Sequence, residues 1–283
     1  MPVFGVSWSA RYARSLGLDP HGVFIALLND LRVRDIRLAV YWDEIETRRG
    51  DWQLDETVWA LREAEKRGAR LTLAIGERVF RYPECHLPAW AEALSEMERE
   101  KALNRYLRVV IGALDGFPAV YRWQIENEPL LVVYGNCPPF DSKSLSREVA
   151  LIRTLTNKPI TTTTSGEFGS WVWEASLADS VGISIYRGAY FGKHNYISYP
   201  LTPAYYRLRA QAVSGSPERV EISELQMEPW ANRPLTDYPL KEQLKQMSVQ
   251  KFKDNVSFAK QTGIKSISLW GAEWWYWMKE KQG

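Results

Sequence analysis

The sequence predicts an α/β chain folded as a single (β/α)8 TIM barrel of eight parallel strands, with residues 1–283 as one domain. Three observations point there. Eight short apolar runs recur along the chain, with helical stretches between them. Parallel neighbours need a crossover, which a helix supplies, and eight such strands close a barrel. The rival, an open doubly wound sheet, would want a glycine-rich phosphate loop after its first strand, and none follows. No low-complexity linker, charge block or composition shift divides the chain.

In chain order the predicted strands are 3–9, 36–42, 69–76, 119–125, 159–165, 181–187, 219–225 and 266–272. All are rich in Val, Ile, Thr and aromatics, as buried strands are. The stretch "LDETVWALREAEKRG" reads as a helix. Asp55 stands as its N-cap, Val58, Leu61 and Ala64 on its apolar face, and Gly68 as its stop. "LKEQLKQMSVQKFKDNVSFAKQTG" reads as one longer helix closed by Gly263.

Composition narrows the function. Of 283 residues 45% are hydrophobic and 25% charged, and the net charge is only +2, so no basic excess invites nucleic acid or an anionic membrane. No segment has the length of a membrane span, and "MPVFGVSWS" lacks a signal-peptide pattern; the compartment stays open. Cys85 and Cys137 lie in the proline-rich loops "YPECHLP" and "GNCPPF". One bridge and two reduced thiols are both open readings. The three His are scattered, which speaks against a metal site, and no cofactor is expected. No predicted strand carries a Lys for Schiff-base chemistry. The 13 Trp suit a large core, and also flat walls for the apolar faces of sugar rings.

Barrel chemistry gathers at the C-terminal strand ends. There the fourth strand runs into "QIENEPL", with Glu126 and Glu128, and the seventh into "EISELQMEPW", with Glu221, Glu224 and Glu228. Carboxylates are rarely buried unless paired or employed. Strands ~4.8 Å apart and tilted ~36° give a barrel radius of roughly 7–8 Å. Backbones about 14 Å apart, each with a side chain reaching ~4–5 Å inward, leave roughly 5 Å between carboxylates. Double-displacement glycosidases use ~5–5.5 Å.

"ENEP" and "SELQMEPW" resemble the clan of retaining β-glycoside hydrolases built on (β/α)8 barrels. That clan includes β-glucosidases, β-galactosidases, β-mannanases and the cellulases of glycoside hydrolase family 5. The likeness runs from "FGVSWSARYARSLGLDP" to "LWGAEWWYW", and the whole chain is most similar to small bacterial cellulase-like glycosyl hydrolases. The resemblance implies Glu128 as acid/base and Glu224 as nucleophile, with Glu126, Glu221 and Glu228 outside the chemistry. It also implies that Arg37 and Tyr186 hold the nucleophile, that Asn127 meets the sugar 2-hydroxyl and that Trp270 floors the attacked sugar. Trp42, Glu273 and Trp274 fall on the same face and join the expected substrate contacts. Glu44, Glu77, Arg78 and Glu167 lie nearby, and His86 reads as fixing its own loop. His21 and His194 carry no signal. The expected partner is a carbohydrate, met by a monomer; endo and exo action both stay open. The alternative function is a catalytically silent, glycan-binding barrel.

Overall fold

The computed structural model describes residues 1–131, 135–138, 140–191, 195–215 and 217–282. His194, singled out above only as unremarkable, lies outside the described residues. The strands are β1 (Val3–Trp8), β2 (Asp35–Ala39), β3 (Arg70–Ile75), β4 (Val120–Ile125), β5 (Ile160–Thr164) and β6 (Ser180–Ile185). They continue with β7 (Gly188–Phe191), β8 (Asn195–Ser198), β9 (Val220–Gln226) and β10 (Ser266–Trp270). Eight of them close a parallel barrel in the order β1-β10-β9-β6-β5-β4-β3-β2. All eight correspond to predicted strands, and the fold is a (β/α)8 barrel.

Every residue of β5 and of β9 is buried, as strands covered outside by helices and inside by the side chains that fill the barrel must be. The helix Asp55–Lys66 buries Thr57, Ala60, Leu61 and Ala64, a single stripe at helical spacing. Its N-cap is Leu54, without a side-chain bond, so Asp55 is the first helical residue rather than the cap. Gly68 ends the segment at φ +63°. The long predicted helix near the C-terminus is two, Leu240–Gln246 and Val249–Gln261. Ser248 breaks it, because its hydroxyl caps the second helix by accepting the Lys251 N–H at 3.2 Å.

One element was not predicted. Strands β7 and β8 pair antiparallel outside the barrel, immediately after β6 and so at its C-terminal mouth. Cys85 and Cys137 are joined in a disulfide, Cα–Cα 5.2 Å, which ties the loop after β3 to the segment after β4. No helix of the described residues is long and apolar enough to cross a membrane.

Candidate active site

The backbone just past β4 turns sharply, with Glu126 at φ +58° and Glu128 at φ +43°. Left-handed conformations cost side-chain-bearing residues energy and persist where surrounding contacts over-determine them. For Glu126 the contacts are structural. Its carboxylate accepts the backbone N–H groups of Glu77 at 2.7 Å and Arg78 at 2.5 Å. Gly76 lets it in: a β-carbon there would stand 2.2 Å from Glu126 Oε1. Glu148 hydrogen-bonds the same carboxyl, and burial pushes both acids up, Glu126 to about 8. Glu126 therefore clamps the β3 and β4 loops together.

Two residues on, Glu128 faces the barrel mouth. Its N–H donates to Thr163 Oγ1 at 2.9 Å, and its Oε1 accepts the Ser184 hydroxyl at 2.7 Å. Glu224, on β9, accepts Arg37 Nη1 at 2.8 Å on Oε1 and the Tyr186 hydroxyl at 2.8 Å on Oε2. Ser184 is also the Cα register partner of Glu224. Ser184 and Tyr186 are two apart at the end of β6, so their side chains share a face roughly 6–7 Å apart. One strand end thus touches both acids.

Their surroundings differ. Burial, and then the charge of Glu224, hold the Glu128 carboxyl well above the usual carboxylate range; Glu84 and Glu167 add to this. These surroundings favour the protonated form of Glu128. Glu224 has a fixed cation against it, since Arg37 is almost completely buried and stacks over Phe80 at 4.0 Å. Arg37 also donates to Gln124 Oε1 at 2.6 Å and to Asn127 Oδ1 at 2.5 Å. The Asn127 amide then donates through Nδ2 to Glu84 at 2.8 Å. Trp270 forms one wall, edge-on to Phe80 at 5.7 Å and to Tyr186 at 6.5 Å, with Arg81 over its ring at 3.9 Å. Among the described residues no group of three or more His, Cys, Asp or Glu is arranged to hold a metal ion.

No family model matches the chain, and no curated protein matches its sequence. Solved structures do match in shape. The GH5_18 structure from Bifidobacterium longum subsp. longum aligns over 94% of this chain and 69% of its own, at 14% identity and TM-score 0.68. An exo-β-1,4-mannosidase from an Opitutaceae bacterium aligns over 95% and 51%, at 15% identity and TM-score 0.63. An endo-β-1,4-xylanase of glycoside hydrolase family 10 from Gloeophyllum trabeum aligns over 95% and 83%, at 14% identity and TM-score 0.62. The chain has the (β/α)8 barrel fold of these solved glycoside hydrolases.

Within this fold, three expected sugar contacts lie elsewhere. Trp42 is fully buried; its indole N–H donates to Glu46 at 2.9 Å and its ring stacks on Tyr106. It is a core residue, because the chain enters a short helix at Trp42 and turns the ring inward. Glu273 is equally closed off. It accepts the Ser9 N–H at 2.7 Å and Arg81 Nη2 at 2.6 Å, so it neutralises a buried arginine. Trp274 sits in the first turn of the last helix, donates to Gln243 Oε1 at 2.8 Å and packs on Leu235 and Met247.

The other acids are also accounted for. Glu221 pairs with Arg122 at 2.6 Å, Glu228 with Arg81, and Glu77 with Arg99 at 3.1 Å. Glu44 pairs with Arg11 and Arg14. Arg78 braces the Asn127 carbonyl at 3.2 Å, and Glu167 accepts the Tyr186 N–H at 3.0 Å. His86 stays neutral, since burial and Arg11 lower it to about 4. Its Nε2 faces the Val79 and Arg81 carbonyls at 3.1 and 3.2 Å, fixing the loop.

Sequence reasoning missed Glu84, Arg81 and Ser184. Ser184 had a signal, as the inward-facing residue two before Tyr186. Glu84 and Arg81 had none, because an irregular loop with φ of +74° and +82° at these residues carries them inward.

Proposed function

We propose that this chain is a retaining β-glycosidase working by double displacement. The observation that carries the proposal is the pair Glu128 and Glu224, contacted by Ser184 and Tyr186 at one strand end, with burial holding the Glu128 carboxyl up and the Arg37 guanidinium paired to Glu224. Glu224 attacks the anomeric carbon while Glu128 gives its proton to the departing glycosidic oxygen. A covalent glycosyl ester forms as the glycosidic bond breaks. Glu128, now a carboxylate, takes a proton from water; the water oxygen bonds the anomeric carbon and releases Glu224. Tyr186 and Arg37 hold the nucleophile, Asn127 meets the 2-hydroxyl, and Trp270 supports the ring at the attacked subsite.

A β-linked oligo- or polysaccharide is the substrate class. One GH5_18 neighbour was solved with Manβ1-4GlcNAc, and another neighbour is an exo-β-1,4-mannosidase, so β-mannosides join the trial set. The test is a panel of chromogenic β-glycosides and polysaccharides, run on wild type, Glu128→Ala and Glu224→Ala. With a good leaving group, Glu224→Ala abolishes turnover and Glu128→Ala slows deglycosylation most. Full activity in either variant refutes the assignment. Glycan binding without turnover in the wild type would favour the silent barrel.

A further inference from the structure

We infer that Glu84 is a third carboxyl group of this site, a positioning residue that orients the Asn127 amide and adds negative charge beside Glu128. The inference rests on the glycosidase reading, and it assigns a role to a loop that reading does not use.

The Asn127 amide is held at both ends. Oδ1 accepts from Arg37 Nη2 at 2.5 Å and from Thr163 Oγ1 at 3.0 Å; Nδ2 donates to Glu84 Oε2 at 2.8 Å. Turning the amide over would set Nδ2 against a guanidinium and Oδ1 against a carboxyl, two unfavourable contacts. Arg37 and Glu84 together therefore define one orientation. A side-chain amide carries two N–H hydrogens, so one remains beyond the bond to Glu84 to meet a sugar hydroxyl.

Glu84 is also held in place. It is buried, its φ is +74°, its N–H donates to Arg81 O at 2.9 Å, and its carbonyl accepts from Val79 N at 2.9 Å. The next residue, Cys85, is bridged to Cys137. Gly135 packs so closely that a β-carbon there would stand 2.9 Å from Glu84 Cβ, and Asn136 N donates to Pro83 O at 3.0 Å. Two loops and a disulfide thus hold an acid whose bond to Asn127 a glutamine could make equally well. The additional property of the acid is charge. The charged groups around it are Glu224, Arg78 and Arg37, and Glu128 responds to it in turn. Burial and Glu224 push the Glu84 carboxyl up to about 7, against the pull of Asn127 and the two arginines. Its ionisation falls near neutral pH.

The experiment measures kcat/KM against pH for wild type, Glu84→Gln and Glu84→Ala, on an active chromogenic glycoside and its 2-deoxy analogue. Glu84→Gln keeps the amide partner but not the charge. It should hold kcat within about threefold at the optimum and lower the alkaline limb by about half a pH unit or more. Glu84→Ala should lose about tenfold or more on the parent substrate and about threefold or less on the 2-deoxy analogue. A Glu84→Gln profile superimposed on wild type, or equal losses on both substrates with alanine, overturns the inference. Independently of turnover, the Asn127 side-chain NH2 resonances should shift with pH near neutrality in wild type and not in Glu84→Gln; unmoved resonances in wild type also overturn it. If instead the wild type cleaves no glycoside while those resonances do titrate, the glycosidase reading fails and the Glu84–Asn127 link stands.

Discussion

Changing Gly76 to alanine tests whether Glu126 is an anchor, the role that separates it from Glu128 two residues away. The new methyl would lie 2.2 Å from Glu126 Oε1 and 2.5 Å from its carboxyl carbon, on a backbone at φ +134°. The strained backbone costs ~1–3 kcal/mol. A displaced carboxyl also gives up the N–H bonds from Glu77 and Arg78, worth ~0.5–1.5 kcal/mol each because burial keeps this acid protonated near neutral pH. Relaxation favours the lower end, about 2 kcal/mol, which for a chain of this size is a fall of roughly 4–8 °C in Tm. Gly17→Ala is the control. Its φ is +74° but nothing lies within 4 Å of the added carbon, so it should cost ~1 kcal/mol, or about 2–4 °C. Thermal unfolding followed by circular dichroism reads both. Equal losses in the two variants would refute the clamp.

Three further outcomes follow from the same contacts. Burial raises Glu84 to about 7 and Glu126 to about 8, so the folded chain holds protons that unfolded carboxyls near 4.5 release. Stability is therefore full below about pH 4.5 for these groups and falls as pH climbs through 7 to 8, by up to about 1.4 kcal/mol per pH unit for each. Tm measured at pH 5 and pH 8 should drop, and a flat or rising Tm contradicts this. Removing the bridge with Cys85→Ser and Cys137→Ser opens a link spanning 52 residues, worth roughly 4 kcal/mol in chain entropy. The double variant should lose both stability and kcat/KM, because Glu84 adjoins Cys85; unchanged kinetics would detach the bridge from the site. Trp42→Phe should cost ~1–3 kcal/mol of stability and leave KM within about twofold. A raised KM with intact stability would restore Trp42 as a sugar contact.

The barrel was legible in the sequence because the strands are short, largely buried and rich in β-branched residues, and helical stretches separate them. Arg37, Glu224 and Tyr186 sit on or just past regular strands, where counting along the strand fixes which way a side chain points. Asn127 and Glu128 instead follow β4 in a left-handed turn and were legible only through the "ENEP" motif. In the structure these residues are linked by hydrogen bonds, Arg37 to Glu224 and Asn127, Tyr186 to Glu224, and Glu128 to Ser184 two residues before Tyr186. Trp42, Glu273 and Trp274 lie one step further, in helices that begin as the strands finish. There the direction of a side chain depends on where the first helical turn starts, and strand counting no longer applies. Glu84 and Arg81 are carried by a loop whose left-handed residues and disulfide have no periodic signature. The β7–β8 pair escaped because "RGAYFGKHNYISYP" is short, polar in places and open to solvent at Tyr196, Ile197 and Ser198.

The most direct test is covalent capture. The wild-type chain is incubated with an activated 2-deoxy-2-fluoro β-glycoside of a sugar it turns over, then digested and mapped by mass spectrometry. A single glycosyl adduct on Glu224, absent from Glu224→Ala, is the predicted result. An adduct on Glu84 or Glu128, or steady turnover to the inverted anomer with no adduct, would contradict the account.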